Sequence, residues 1–377
     1  VFPSVRGAVS ALLESPDPAA RDFSREGELL VARVRVVVCV LISFIPARSV
    51  LRDPASADNW IGLGCAFLAI VFSGFVFALA VRERPPRWLG LLSTQFDVAV
   101  VTLGLVGFIL AGHPLTATNS LIQYTVYFIA VGATCLRHDP RLCLLSGGAA
   151  MFQYGATDLW AERAGAVALS PDTGYGSFSW DAQIGRLILL GVSGGLNAII
   201  VIRARAHWRN AIRDRLTGLY NRAFFDERLA LAIIDARRAS QPLVVALADL
   251  DHFKALNDRH GHAAGDEALI RFAALMRQSF RPGDTPARHG GEEFAVMLPG
   301  AEPSLALARL DQLRMMLCAE PLLLSDGVRA TVTVSIGVAI FPADGDTPAA
   351  LMSAADTRLY EAKHAGRNQI VKPARRP

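Results

Sequence analysis

Two acidic pairs carry the first chemical signal. The apolar run 243–250 ends in Asp249-Leu250-Asp251, and farther along Gly290-Gly291 is followed at once by Glu292-Glu293. Alternate side chains of a strand share a face, so Asp249 and Asp251 either share one or diverge at the strand end. A strand end and a neighbouring hairpin that both bring carboxylates can grip hard divalent cations, and magnesium takes a few carboxylates together with substrate phosphates. Two such ions can clamp the attacking and leaving oxygens of a phosphoryl displacement. The glycines, lacking side chains, let a base or a phosphate come close to the backbone. Taken alone, Glu292-Glu293 reads more simply as a solvated hairpin tip.

Lysine adds a second signal. Lys254, Lys363 and Lys372 are the only lysines among 38 basic side chains. A GC-rich genome accounts for the bias, yet an ammonium and a guanidinium act differently at phosphates. The net charge of +4 is modest and gives no argument for nucleic-acid binding. The five cysteines form no CxxC pair, which leaves no disulfide framework and no zinc site.

The elements that must position these residues lie in the second half. Hydrophobic residues make up 52% of the 377 and charged ones 19%, against about 25% charge in a soluble protein. The apolar excess falls in six runs, 29–47, 60–81, 88–111, 119–136, 141–160 and 182–202, each long enough to cross a bilayer as a helix. Arg33 and Arg35 interrupt the first and can snorkel to an interface. Arginines crowd alternate loops (Arg21 and Arg25; Arg82, Arg84 and Arg87; Arg137 and Arg141; Arg203, Arg205 and Arg209), which by the positive-inside rule predicts six spans with both termini cytoplasmic. The outer loop 161–181 is rich in Gly and Ser and resembles no domain. The expected division is a cytoplasmic tail 1–28, a six-helix transmembrane domain 29–203 as candidate sensor, a helical linker 204–213 and a soluble α+β domain 214–377. In the last, helices are expected over 221–239, 265–280, 304–319 and 347–365, the final one with Thr347 as N-cap, Pro348 in its first turn and Gly366 as its stop. Strands are expected over 243–250 and 332–340, with a hairpin over 288–298 turned at Gly290-Gly291, giving a sheet with one helical face.

The segment Arg288-His289-Gly290-Gly291-Glu292-Glu293-Phe294 resembles the signature of the GGDEF family in its GGEEF form, and other motifs stand in that family's order. Asp214–Arg222 resembles DxLTGLxNR. Asp249–Lys254, Asn257-Asp258 and Gly261-His262 to Gly265-Asp266 resemble DxDxFKxxND and GHxxGD. Val332–Gly337 resembles TVSIG, and Ala355-Asp356, Leu359-Tyr360, Ala362-Lys363 and Gly366-Arg367-Asn368 resemble the closing AD, LYxAK and GRN. The resemblance covers 214–371 and implies a nucleotidyl-cyclase, polymerase-palm-like α+β fold that condenses two GTP into cyclic di-GMP. It implies Asp249, the Leu250 carbonyl, Glu292 and Glu293 as ligands of two Mg2+ per GTP, with Mn2+ as an alternative. It gives Glu292 the further role of base toward the ribose 3′-hydroxyl. Asn257 and Asp266 would read guanine, Phe253 and His262 would flank the nucleotide, and Lys254, with Lys363 and Arg367, would hold phosphates. Lys254 would thereby also assist catalysis. It also implies a homodimer with one GTP per domain, at the cytoplasmic membrane of a bacterium.

Arg281-Pro282-Gly283-Asp284 stands five residues before Gly290, as the family's RxxD product-inhibition site does; read alone it is a surface turn. Asp97 and Asp158 fall in or near spans and are functional candidates on that ground, Asp158 close to an interface. His113 and His138 read as polar loop residues. The alternative to an active cyclase is a catalytically dead domain that binds GTP or cyclic di-GMP, and the complete acidic and lysine set speaks against it. The membrane half shows no broken-helix or repeat signal of a transporter.

Overall fold

A computed structural model describes residues 18–81, 86, 88–164, 177–319, 321–323 and 329–373, with backbone alone at 18–26 and 323. The tail 1–17, the arginines Arg82, Arg84 and Arg87, and most of the loop 161–181 lie outside the described residues. The chain forms two compact units, Val1–Ala206 and His207–Pro377. The boundary falls inside the linker expected over 204–213, which is helical.

The first unit is all helix: α1 (Pro18–Arg52), α2 (Ala57–Ala80), α3 (Leu89–Leu110), a short α4 (Pro114–Asn119), α5 (Leu121–Gly132) continued by a 3-10 turn (Ala133–Arg137), α6 (Pro140–Arg163) and α7 (Trp180–Ile212). Four stretches, Gly27–Arg52, Ala57–Ala80, Leu89–Leu110 and Trp180–Ile212, are long and apolar enough to cross a membrane. The fourth expected span is a shorter apolar helix, Leu121–Arg137, and the fifth, α6, is long enough but more polar. The chain breaks at Ser120, whose extended backbone separates α4 from α5. A broken helix is therefore present where the sequence showed none.

Polar contacts gather in two sets. In one, Arg137 binds Glu28 (Nε to Oε1, 2.9 Å) and Ser93, and Arg35 forms a two-pronged pair with Asp97 at 2.6 and 2.8 Å. In the other, His113 meets Asp58 at 2.7 Å, Asn119 donates to the Ser177 carbonyl and Trp180 to Glu162. Arg35 does not snorkel; it is buried against Asp97, because an intramembrane cation is cheaper paired than dragged to an interface. Asp158 is buried within the first unit.

The second unit is a six-stranded sheet in the order β1 (Tyr220–Asn221), β3 (Thr285–Arg288), β4 (Glu293–Pro299), β2 (Leu243–Leu250), β7 (Val334–Phe341), β8 (Ile370–Val371). A separate pair, β5 (Leu322–Leu323) and β6 (Arg329–Ala330), stands apart. β2 is buried along its whole length between β4 and β7, both antiparallel to it.

The sheet carries helices on both faces, which corrects the expectation of one. Leu243, Val245 and Leu247 pack with α8 (Arg222–Ala239) and α12 (Pro348–His364); Val244, Ala246, Ala248 and Leu250 pack with α9 (Phe253–His260), α10 (His262–Ser279) and α11 (Pro303–Ala319). α12 begins as expected, with Thr347 accepting from the Ala350 amide. It lies tight on β7 because Gly337 has no side chain: a Cβ there would stand 2.1 Å from the Ala355 carbonyl oxygen and 2.2 Å from the Leu359 nitrogen. Arg358 fixes the contact by gripping Asp344 with both terminal nitrogens, at 2.7 and 2.8 Å.

Candidate active site

Asp249 is the last residue of β2 that pairs on both sides, opposite Glu293 of β4 and Ser335 of β7. It lies on the α8 and α12 face. Close packing over Gly337 brings the end of α12 to it, and Lys363 Nζ sits 2.7 Å from its Oδ2. Asp251, past the strand end, does something else. Its Oδ1 accepts from Ser335 Oγ and its Oδ2 from Thr333 Oγ1, both at 2.7 Å, and Oδ2 also accepts the Asn368 amide at 3.0 Å. The two aspartates diverge: Asp249 meets the lysine, and Asp251 ties β2 to β7 and to the turn Gly366-Arg367-Asn368. That turn holds Arg367 and Asn368 at positive φ, 61° and 45°, and leaves Arg367 exposed.

The hairpin tip closes through the Glu293 carbonyl, which accepts from the amides of His289 and Gly290 at 2.8 and 3.1 Å. The amide of Leu250 donates to the Glu292 carbonyl at 3.3 Å, joining the β2 end to the tip. Arg288 braces the tip from behind, donating to the carbonyls of Gly290 and Gly291 and pairing with Asp214 at 3.1 Å. A side chain on Gly290 would press on the Glu293 carboxylate, whereas Gly291 faces open space.

Electrostatics follow from crowding. Burial lifts the Asp249 carboxyl above its ordinary value; Lys363 opposes this, while Glu293 and Asp251 add to it. Glu292 is likewise raised, by burial and by the charge of Asp249, with Lys363 opposing and Glu293 adding. Lys363 pairs with Asp249, and its charge also reaches Glu292. Among the described residues no three His, Cys, Asp or Glu side chains are close enough to form a cage around one ion. The donor set still fits Mg2+, which needs only one or two carboxylates when phosphate oxygens complete its shell.

On the other face of the sheet, Asn257 of α9 turns its amide toward α10. Its Oδ1 is buried without a partner, and a Cβ on Gly265 would stand 2.0 Å from it. Phe253 is buried beneath, while Lys254, His262 and Asp266 are exposed. Of the sequence-selected residues, the structure brings Asp249 and Lys363 into contact and sets Glu292 and Glu293 beside them. It shows no contact from Lys254, His262, Asp266 or Arg367 to that cluster.

At the RxxD turn, Asp284 is fully buried and accepts from Arg281 Nε at 3.3 Å, from the Arg281 amide at 3.0 Å and from Arg309 Nη1 at 3.1 Å. Arg281 also donates to the Pro299 carbonyl and stays half exposed. Arg309, on α11, had no signal in the local sequence; only the fold places it there. Thr333 and Ser335 sat in the TVSIG-like stretch without an assigned partner.

Residues 211–369 match a family model described as "Diguanylate cyclase, GGDEF domain". The same region is 40% identical over 162 residues to the response regulator PleD of Caulobacter vibrioides, a match covering 43% of this chain and 36% of that protein. It is 45% identical over 158 residues to the diguanylate cyclase TpbB of Pseudomonas aeruginosa, covering 42% and 36%. The chain thus matches about a third of the length of these relatives. With the uncharacterized protein YhcK of Bacillus subtilis the likeness runs through both units, 29% identical over 342 residues, covering 85% of this chain and 90% of that one.

Proposed function

Residues 211–369 form a GGDEF domain of the diguanylate cyclase family, and from that premise we propose that the chain is a membrane-anchored diguanylate cyclase joining two GTP into cyclic di-GMP and two pyrophosphates. The observation that carries this reading is the gathering of Asp249, Glu292 and Glu293 around the single ammonium of Lys363.

A crowded carboxylate with a raised proton affinity suits a base, and Glu292 would take the proton of the ribose 3′-hydroxyl. That oxygen then bonds to the α-phosphorus of the GTP held by a second copy, and the bond to the departing pyrophosphate breaks. Mg2+, when bound by Asp249, the Leu250 carbonyl, Glu292 and Glu293, supplies charge neutralisation at the phosphate oxygens. Lys363, Lys254 and Arg367 would hold those phosphates. The orphaned Asn257 Oδ1 suits a ring N–H donor, and Asp266 offers a second acceptor, so the pair would select guanine. Phe253 and His262 would flank the base. Because each copy holds one nucleotide, a homodimer is required. The exposed guanidinium of Arg281, backed by Asp284 and Arg309, would bind cyclic di-GMP as inhibitor.

For the first unit we propose six crossings, with both termini cytoplasmic. The polar contacts support it. Glu28 at the start of the apolar stretch of α1, Ser93 near the start of α3 and Arg137 after α5 meet in one cluster. Asp58 at the start of α2 meets His113 after α3, and Trp180 at the start of α7 meets Glu162 at the end of α6. Alternate ends gather together only if α5 and α6 run the full depth.

The test is the full chain in lipid nanodiscs with GTP and Mg2+, its products separated by chromatography. Cyclic di-GMP should form, and should vanish in Glu292→Ala. A folded dimer that makes none while still binding cyclic di-GMP would be a receptor instead.

A further inference from the structure

We propose that the first unit binds a small, neutral amphiphile in a cavity between α1, α2, α3 and α5. The cavity measures about 230 Å³ and is bounded by Ile42 and Pro46 of α1, Cys65 of α2, Val101 of α3 and Gln123 of α5. A smaller one of about 80 Å³ shares Cys39, Ile42 and Val101 with it and continues toward Arg35 and Asp97. Together they approach the lower end of the range for small-molecule sites, about 300 Å³.

Both backbone irregularities in this region face the cavity. Pro46 lies inside α1 and cannot donate to the carbonyl of Ile42, one turn earlier, and both residues line the space. The break between α4 and α5 puts Thr116 and Ser120 on its wall. Non-helical backbone at membrane depth is tolerated where it is buried in protein or lines a cavity. Here the break at Ser120 coincides with a cavity wall, and Pro46 leaves one helical carbonyl of α1 without its usual donor beside the same space.

The chemistry of the wall sets the ligand class. Its charged groups already have partners within the chain: Asp58 meets His113 Nδ1 at 2.7 Å and, at the far end, Asp97 pairs with Arg35. The polar groups left over are neutral. Gln123 contributes an amide with no side-chain hydrogen bond among the described residues, and Ser120 Oγ accepts from the Gln123 backbone N–H but keeps its own proton to donate. An apolar body ending in a hydroxyl or carboxamide satisfies these groups; an ion would lack a counter-charge.

Cys65 reports on occupancy. In the full chain in nanodiscs, its modification by N-ethylmaleimide, followed by peptide mass spectrometry, should slow saturably with 1-octanol or octanamide and not with octanoate or octylammonium. Gln123→Leu should weaken the half-saturating concentration about tenfold, as expected for one lost hydrogen bond. Ala66→Phe should abolish protection by filling the space. Absence of saturable protection, equal protection by the charged compounds, or protection undiminished in Gln123→Leu would each overturn the proposal. The comparison of neutral with charged compounds needs no variant, so it stands even where a variant does not fold. None of these readouts involves nucleotides, so failure here and failure of the cyclase reading are separable.

Discussion

Asp249 and Asp251 are two positions apart, alike in type and both buried, yet their surroundings set them opposite tasks. Asp251 accepts two hydroxyls and a backbone amide, so removing its charge leaves those donors short of an acceptor. Asp251→Asn should cost about 1–3 kcal/mol in urea unfolding. Asp249 is held in a place that burial makes unfavourable for its charge, so Asp249→Asn should leave stability unchanged or raised at pH 7 while abolishing cyclic di-GMP synthesis. A carboxyl raised in the folded state destabilises it above the unfolded value, and the penalty fades as pH falls through the raised one. Glu292 follows the same rule in its rate. As a base it works deprotonated, so activity should fall with decreasing pH through a value above the usual carboxylate range. Glu293→Gln removes one of the charges that raise it and should move that acid limb to lower pH, measured on residual turnover. At this scale the sequence motifs named Asp249 and Lys363, which the structure brings into contact. They could not name Arg309 or the Thr333 and Ser335 hydroxyls, because those act through contacts between segments far apart in the chain.

Elements decide whether the named residues meet. β2 is a continuous apolar run, which is how a strand covered on both faces reads; the expectation of one helical face came instead from the order of helices, strands and the Gly-Gly hairpin. α9 was missed because its eight residues carry polar and charged side chains through most of their length. Two glycines make the packing testable. Gly337→Ala would drive a Cβ into the backbone of α12, which cannot yield as a side chain does. The domain should then lose stability by about 3 kcal/mol or more, or fail to fold, as read by its thermal midpoint. Gly265→Ala meets the Asn257 amide and, at 3.0 Å, the tip of the Phe253 ring, side chains that can shift where backbone cannot. That variant should fold normally, yet raise KM for GTP with a smaller change in kcat, since what moves is a base-holding group.

For the whole molecule, four and six crossings both leave the termini on one side, so the termini alone do not distinguish them. The short turn at His138-Asp139 does. With six crossings it faces the cytoplasm; with α5 and α6 lying outside the bilayer it faces the exterior. A single cysteine at His138 should therefore resist a membrane-impermeant maleimide added to intact cells and react after permeabilisation. The contact of Arg137 with Glu28 and Ser93 supports the first outcome, because it puts Arg137 on the same side as the start of the first span. Dimerisation is the remaining requirement. The second unit has its own cores on both sheet faces, so the fragment 207–377 should fold alone. In the proposed reaction its acidic cluster would hold one nucleotide and would need a second copy to present the other. Its rate per molecule should then rise in proportion to its own concentration, and fusion to a parallel coiled coil should remove that dependence and raise turnover. A rate per molecule independent of concentration in a verified monomer would mean that one domain completes both bonds, which a single set of Asp249, Glu292 and Lys363 gives no means to do.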